Sequence, residues 1–302
     1  MLSAEVLYSN TVYKEIPRKI PIEGYTDNHI HIDPINGEGL NAVKKFEHAG
    51  GRFIFLVCKT TADWKLQPTE EGLLKLSDKT ISISKTINKE TNVKSFPVIG
   101  IHPADFVLMC NRFSIKAAKE IGFKVIEKMG KKIVNEEAIA LGEVGRPHFE
   151  VENEVYEACN DFLLKIMETA ADINCAVQLH TETVTDTHFT EFREMALQAG
   201  LKPYKVIKHY SPPLIKAGEK TGILPSLIAS KENIARAVRE GNRFLMESDY
   251  IDDLSRPGAV VGPKSVPRIS RLLYERGVIN EEDLWKIHKD NIEHAYGISL
   301  DY

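Results

Sequence analysis

Four cysteines in 302 residues, none in a C-x-x-C pair, leave no thiolate knot for zinc and no disulfide framework. Cys58, Cys110, Cys159 and Cys175 are scattered and read as ordinary buried thiols of a reducing compartment. Long apolar runs are missing as well. No stretch approaches the ~20 residues that span a bilayer, and the opening MLSAEVLYSNTVYKEIPRKIPIEG is too polar for a signal peptide. A cytoplasmic protein without a membrane partner is expected. Nor is there an excess of positive charge. A net charge of −4 and a pI near 6.2 argue against a globally basic nucleic-acid surface, so any such contact rests on a local patch or on metal charge. Tryptophan is scarce, and Trp64 and Trp285 read as packing residues, not stacking platforms.

What is present is a core and a rhythm. A hydrophobic fraction of 43% suffices for a packed interior. Short β-branched runs near 25–32, 52–58, 95–102, 138–144, 174–180, 204–210, 222–229 and 243–249 alternate with amphipathic stretches. In the stretch 154–173, for example, Tyr156, Cys159, Leu163, Ile166 and Met167 recur at helical steps. Eight strands, with a helix after nearly every one, predict a closed (β/α)₈ TIM barrel. We expect an α/β fold of one domain over residues 25–302, with residues 1–24 as an amino-terminal extension packed outside. The longest connections are 59–94 and 250–266; the second, rich in Gly and Pro, is expected to fold over the barrel mouth.

Residues 24–34 read GYTDNHIHIDP. Alternation along a strand sends His29 and His31 to the same side, where two imidazoles can converge on one cation. A His-x-His pair arises by chance often enough to need partners. They stand at other strand ends: His102, Glu143, His180, His209 and Asp249. In a barrel those ends share the face that carries active sites. Nitrogen and oxygen donors without thiolates suit Zn²⁺, Mn²⁺ or a similar divalent ion. One ion would be held by His29, His31 and Asp249 and a second by His180 and His209, with Glu143 bridging. Two such ions, Zn²⁺, Mn²⁺ or Mg²⁺, would share a hydroxide, and Asp249 would accept its proton.

The ordered set DNHIHID, GIHP, LGEVG, QLH, KHYS and MESD resembles the TatD-type metal-dependent DNases, within the wider amidohydrolase-like barrel hydrolases. The likeness runs from about residue 25 to the carboxyl terminus, where KDNIEHAYGI is similar to that family's closing segment. It implies a (β/α)₈ barrel, two divalent ions, phosphodiester hydrolysis and the ligand roles given above for His29, His31, Glu143, His180, His209 and Asp249. It also implies that His102 faces substrate phosphate and not a metal. The expected partner is then a phosphate-containing substrate, DNA or a small nucleotide. A cyclic amide, lactone or carbonyl ester is the alternative, and a metal-retaining binding protein a third reading.

The chain departs from the family after the bridging glutamate, where Gly145, Arg146 and Pro147 replace the usual Gly-Leu-Asp, and after His209, where Tyr210, Ser211, Pro212 and Pro213 follow. Arg146 is expected either to clamp a phosphate or carboxylate of the substrate or to pair at the surface with Glu150 or Glu152. Lys59 and Lys208 lie beside strand ends, where they could bind phosphate, but solvated lysines are the commoner case, and alternation turns Lys208 from the pocket. Asp252 and Asp253 are read as a solvated turn or as partners of the ligands. His148, His188, His288 and His294 receive no role.

Overall fold

The expected strands form as Tyr25–His31 (β1), Gly51–Val57 (β2), Lys94–Ile99 (β3), Ala140–Gly145 (β4), Ala176–His180 (β5), Val206–Lys208 (β6), Leu224–Ile228 (β7) and Leu245–Glu247 (β8), and a two-residue ninth strand, Tyr250–Ile251 (β9), follows. These come from a computed structural model that describes residues 21–301. The amino-terminal extension is therefore outside the described residues except for its last four. All strand pairs are parallel, in the order β8-β7-β6-β5-β4-β3-β2-β1-β9. Because β9 continues β8 after two residues, its pairing with β1 closes the sheet on itself as a barrel.

That closure leans on side chains. The backbone N–H of Ser248 donates to Asp27 Oδ1 at 2.9 Å, and Asp249 N–H donates to the His29 carbonyl at 2.9 Å. Of the two readings of Asp252, the solvated turn fails, because the residue is fully buried. Its carboxylate accepts from the backbone N–H of Asp33 (2.9 Å), Glu38 (2.7 Å) and Gly39 (2.8 Å) and from the Tyr250 hydroxyl (3.0 Å). A buried carboxylate with four donors is stable as an anion, and here it pins the loop after β1 to the last strand.

Strand alternation sorts the side chains into two layers. Phe53, Phe55 and Val57 of β2 fill the bore with Val98, Ala140, Ala176, Ile207, Leu224 and Leu245, and Tyr296 packs beneath them. Ile54 and Leu56 face outward onto Ala42, Val43 and Phe46 of the helix Leu40–His48. The helix expected at 154–173 spans Asn153–Asp172 and buries Cys159, Leu163, Ile166 and Met167. Each such burial contributes about 1.5–3 kcal/mol. Tyr156 is only half-buried; its hydroxyl turns to Glu182. No helix among the described residues is long and apolar enough to cross a membrane.

Candidate metal centre

Above the apolar bore the inward positions turn polar. On β4, Ala140 faces the bore and strict alternation would send Glu143 outward. The β4–β5 register shifts between Leu141 and Val144, so Val144 joins the outer layer and Glu143 faces in, the way a bulge re-aims a side chain. At the opposite side Asp249 sits in the left-handed region (φ 46°) between β8 and β9, a conformation that aspartate tolerates better than most residues.

His29, His31, Glu143, His180, His209 and Asp249 meet at this rim. His29 Nε2 and His31 Nε2 stand 3.2 Å apart. They lie 3.8 and 3.6 Å from Asp249 Oδ1 and 3.7 and 3.8 Å from Glu143 Oε2. The other oxygen of Glu143, Oε1, meets His180 Nδ1 at 2.6 Å and His209 Nε2 at 3.1 Å. One carboxylate thus presents an oxygen to each of two donor groups.

The far nitrogens are engaged. His29 Nδ1–H donates to Gln178 Oε1 at 2.8 Å, His31 Nδ1–H to the Val57 carbonyl at 3.0 Å, and His209 Nδ1–H to Glu247 Oε1 at 3.0 Å. Each bond holds the ring with its Nε2 facing the cluster, the arrangement that prepares imidazole as a ligand once Nε2 carries no proton. Donors about 2.1 Å from a tetrahedral ion stand about 3.4 Å apart, so the spacing of His29, His31 and Asp249 fits a divalent cation. His180 differs: its Nε2 meets His148 Nδ1 at 2.8 Å while Nδ1 faces Glu143.

His102 does not end β3. It caps the helix Pro103–Arg112, accepting the Ala104 N–H on Nδ1 at 3.0 Å. Neutral His102 therefore carries its proton on Nε2 and offers a donor, not a ligand lone pair. Burial keeps it neutral, pushing its pKa down to about 3. Its ring centroid lies 4.4 Å from that of His180.

Charge in the cluster is balanced internally. Burial disfavours the Glu143 carboxylate, but His180, His29 and His209 outweigh it and hold its pKa well below the usual range. Burial likewise opposes charge on His209, yet Glu247 and Glu143 on either side push it up to about 10. Glu247 is held down at about 2, burial being overcome by His209.

The cluster lines a cavity of about 250 Å³ together with Lys59, Asp63, His148 and Arg256. A second cavity of about 270 Å³ shares His148, His180, His209 and Asp249 and adds Glu182, Lys208 and Tyr210. Lys59 is buried and pairs with Asp33 at 2.9 Å, contrary to its solvated reading. The loop after β9 does cross the mouth: Arg256 pairs with Asp253 at 2.7 Å and reaches Asp63, after β2, at 2.9 Å.

Arg146 is not at the mouth. Its guanidinium is buried against Phe192 and donates to Asn160 (2.7 Å), Glu182 (3.2 Å) and Glu191 (3.1 Å). With its donors taken by these groups it is not placed as an oxyanion clamp, and its carboxylates are not Glu150 and Glu152 either. Burial opposes its charge, but Tyr156 and the two glutamates keep it protonated. Lys208 does leave the bore as alternation requires, but it is buried, contrary to its solvated reading, and enters the second cavity, where burial lowers its pKa to about 8. The sequence reading missed Glu247, Gln178 and His148. For Glu247 a signal existed: it precedes Asp249 by two residues on the same strand end.

Comparison with known proteins gives the family and the fold. The family model for TatD-related DNases matches residues 26–297. The uncharacterized protein MJ1127 of Methanocaldococcus jannaschii is 41% identical over 292 residues, covering 95% of this chain and 99% of that protein. Among solved structures, the TatD homologue YJJV of Escherichia coli K12 superposes with a TM-score of 0.61 at 14% identity, covering 91% of this chain and 98% of its own. A phosphotriesterase homology protein of Escherichia coli, complexed with phosphate in its active site, superposes at 0.59 with 13% identity, covering 91% and 99%. At such identities these structures speak for the fold.

Proposed function

Since the chain belongs to the family of TatD-related DNases, we propose that it is a divalent-metal-dependent hydrolase of phosphoester bonds, acting in the cytoplasm on DNA or a small nucleotide. The observation that carries this reading is Glu143, whose two oxygens face separate imidazole groups. His29, His31 and Asp249 would hold one ion, His180 and His209 another, with Glu143 shared. A bound divalent ion supplies positive charge that acidifies water and polarises a phosphoryl oxygen.

The chain's own residues do the rest. Gln178, the Val57 carbonyl and Glu247 keep His29, His31 and His209 in the orientation described above. Asp249, at the edge of the cluster, takes the proton of the attacking water on its carboxylate. His102 donates from Nε2–H to an oxygen of the phosphate, an uncharged donor that burial keeps in one protonation state.

The test pairs metal analysis with a substrate panel. Protein purified without chelator should carry up to two equivalents of transition metal and turn over single-stranded DNA or bis-nitrophenyl phosphate. Asp249→Asn should keep the fold and lower turnover by about two to four orders of magnitude. Hydrolysis of lactones alone, or near-normal rates in Asp249→Asn, would overturn the reading.

A further inference from the structure

The cations around the mouth fall into two kinds. Lys59 has Asp33, and Arg256 has Asp63 and Asp253. Lys208 is as deeply buried as Lys59, lines the second cavity, and makes its hydrogen bond to the backbone carbonyl of His209. No carboxylate stands within ion-pair distance of it among the described residues. Glu247, Glu143, Glu182 and Asp249 favour its charge from beyond that distance, but its one direct partner is a neutral acceptor, so a direct anionic partner beside the open cavity has to arrive from outside.

The other charged groups facing that cavity leave room for one. Glu182 Oε1 is offset by Arg146 at 3.2 Å and by His188 at 3.3 Å, while its buried Oε2 has no hydrogen-bond partner among the described residues. Asp249 and the imidazoles of His180 and His209 belong to the proposed metal cluster. The exposed His148 and Tyr210 complete the charged and aromatic lining, and Thr181 and Thr183 add hydroxyls.

We propose that this second cavity is an anion subsite, in which Lys208 holds a further oxyanion group of the substrate, a phosphate or a carboxylate, carried next to the bond that the metal centre cleaves. The assignment rests on the hydrolase reading above for what the neighbouring centre does, and it narrows the substrate to molecules with two anionic groups. An ammonium serves either oxyanion as a point charge.

The test compares binding of three probes to the full-length protein as purified: thymidine 5′-phosphate, its 3′-phosphorylated form and its 3′-O-succinyl form. Calorimetry should show one or both double anions binding about tenfold more tightly than the parent, the scale of one charge-assisted hydrogen bond. An advantage for the 3′-phosphate alone identifies phosphate as the natural group; one for the succinyl form alone identifies carboxylate. Lys208→Met, which keeps the stem, should bind all three probes alike with unchanged metal content, and Lys208→Arg should keep most of the advantage. A wild type without preference, or a Lys208→Met that keeps it, overturns the subsite. Bis-nitrophenyl phosphate, which carries no second anion, reads the hydrolase separately: its failure to be cleaved would leave the Lys208-dependent binding difference intact.

Discussion

His288 and His209 are both buried, at opposite ends of the barrel strands. At the lower end, His288 accepts the Thr26 N–H at 3.2 Å on Nδ1 and donates from Nε2 to the Ser270 hydroxyl at 2.9 Å. These two partners are neutral, and burial pushes its pKa down to about 3. At the upper end, His209 lies between Glu247 and Glu143 and is pushed up to about 10. The same ring is a structural pin where its neighbours are neutral and a poised ligand where they are carboxylates. Burial alone does not mark a functional histidine; the charge of its partners does.

The strongest way to break this contrast is Glu143→Ala, which removes the carboxylate common to both donor groups. Metal content should fall by at least one equivalent and turnover by about a thousandfold, as expected when several kcal/mol of charge stabilisation are lost. Unchanged metal content would remove Glu143 as a bridge. Glu247→Gln is milder: it keeps an acceptor for His209 and drops the charge, and metal affinity measured by chelator competition should weaken about 10–100-fold.

Stability against pH sharpens the comparison in protein stripped of metal. The raised His209 contributes stability that is complete below pH 6.5 and is lost as pH rises toward about 10. The depressed His288 works in the other direction, its contribution being present above pH 6.5 and lost as pH falls toward about 3. Denaturant titrations should show the alkaline loss reduced in Glu247→Gln and the acidic loss removed in His288→Leu. The smallest functional effect belongs to His288→Leu itself. It leaves the Thr26 N–H without this acceptor and should cost about 1–3 kcal/mol of stability. Its metal content and turnover should match the wild type, and a drop in either would undo the distinction.

The barrel was legible because its signals are periodic. Phe53, Phe55 and Val57 alternate with Ile54 and Leu56, and eight such runs recur between amphipathic helices. The candidate ligands were legible because each ends a strand, even Glu143, whose inward turn needed a register shift that no periodicity shows. Two-residue β9 is too short to leave a pattern. The solvated readings of Lys59 and Asp252 fail because a charged residue in a loop looks solvated until the segment that covers it is known. For Asp252 that segment lies more than 200 residues away. The carboxylate partners of Arg146 come from the next βα unit, so proximity in sequence named the wrong glutamates.

The carboxylate of Asp252 has one more consequence, for the order in which the chain can be completed. Its donors Asp33, Glu38 and Gly39 leave the ribosome long before it does, and the partner strand of Ile30 and His31 on that side follows only at Tyr250. A nascent chain that stops short of those residues carries an unfinished first strand, with one flank of its hydrogen-bonding groups still open to water or to chaperones. Assembly of the candidate metal rim is thereby deferred until the segment from Tyr250 to Asp252 has been made.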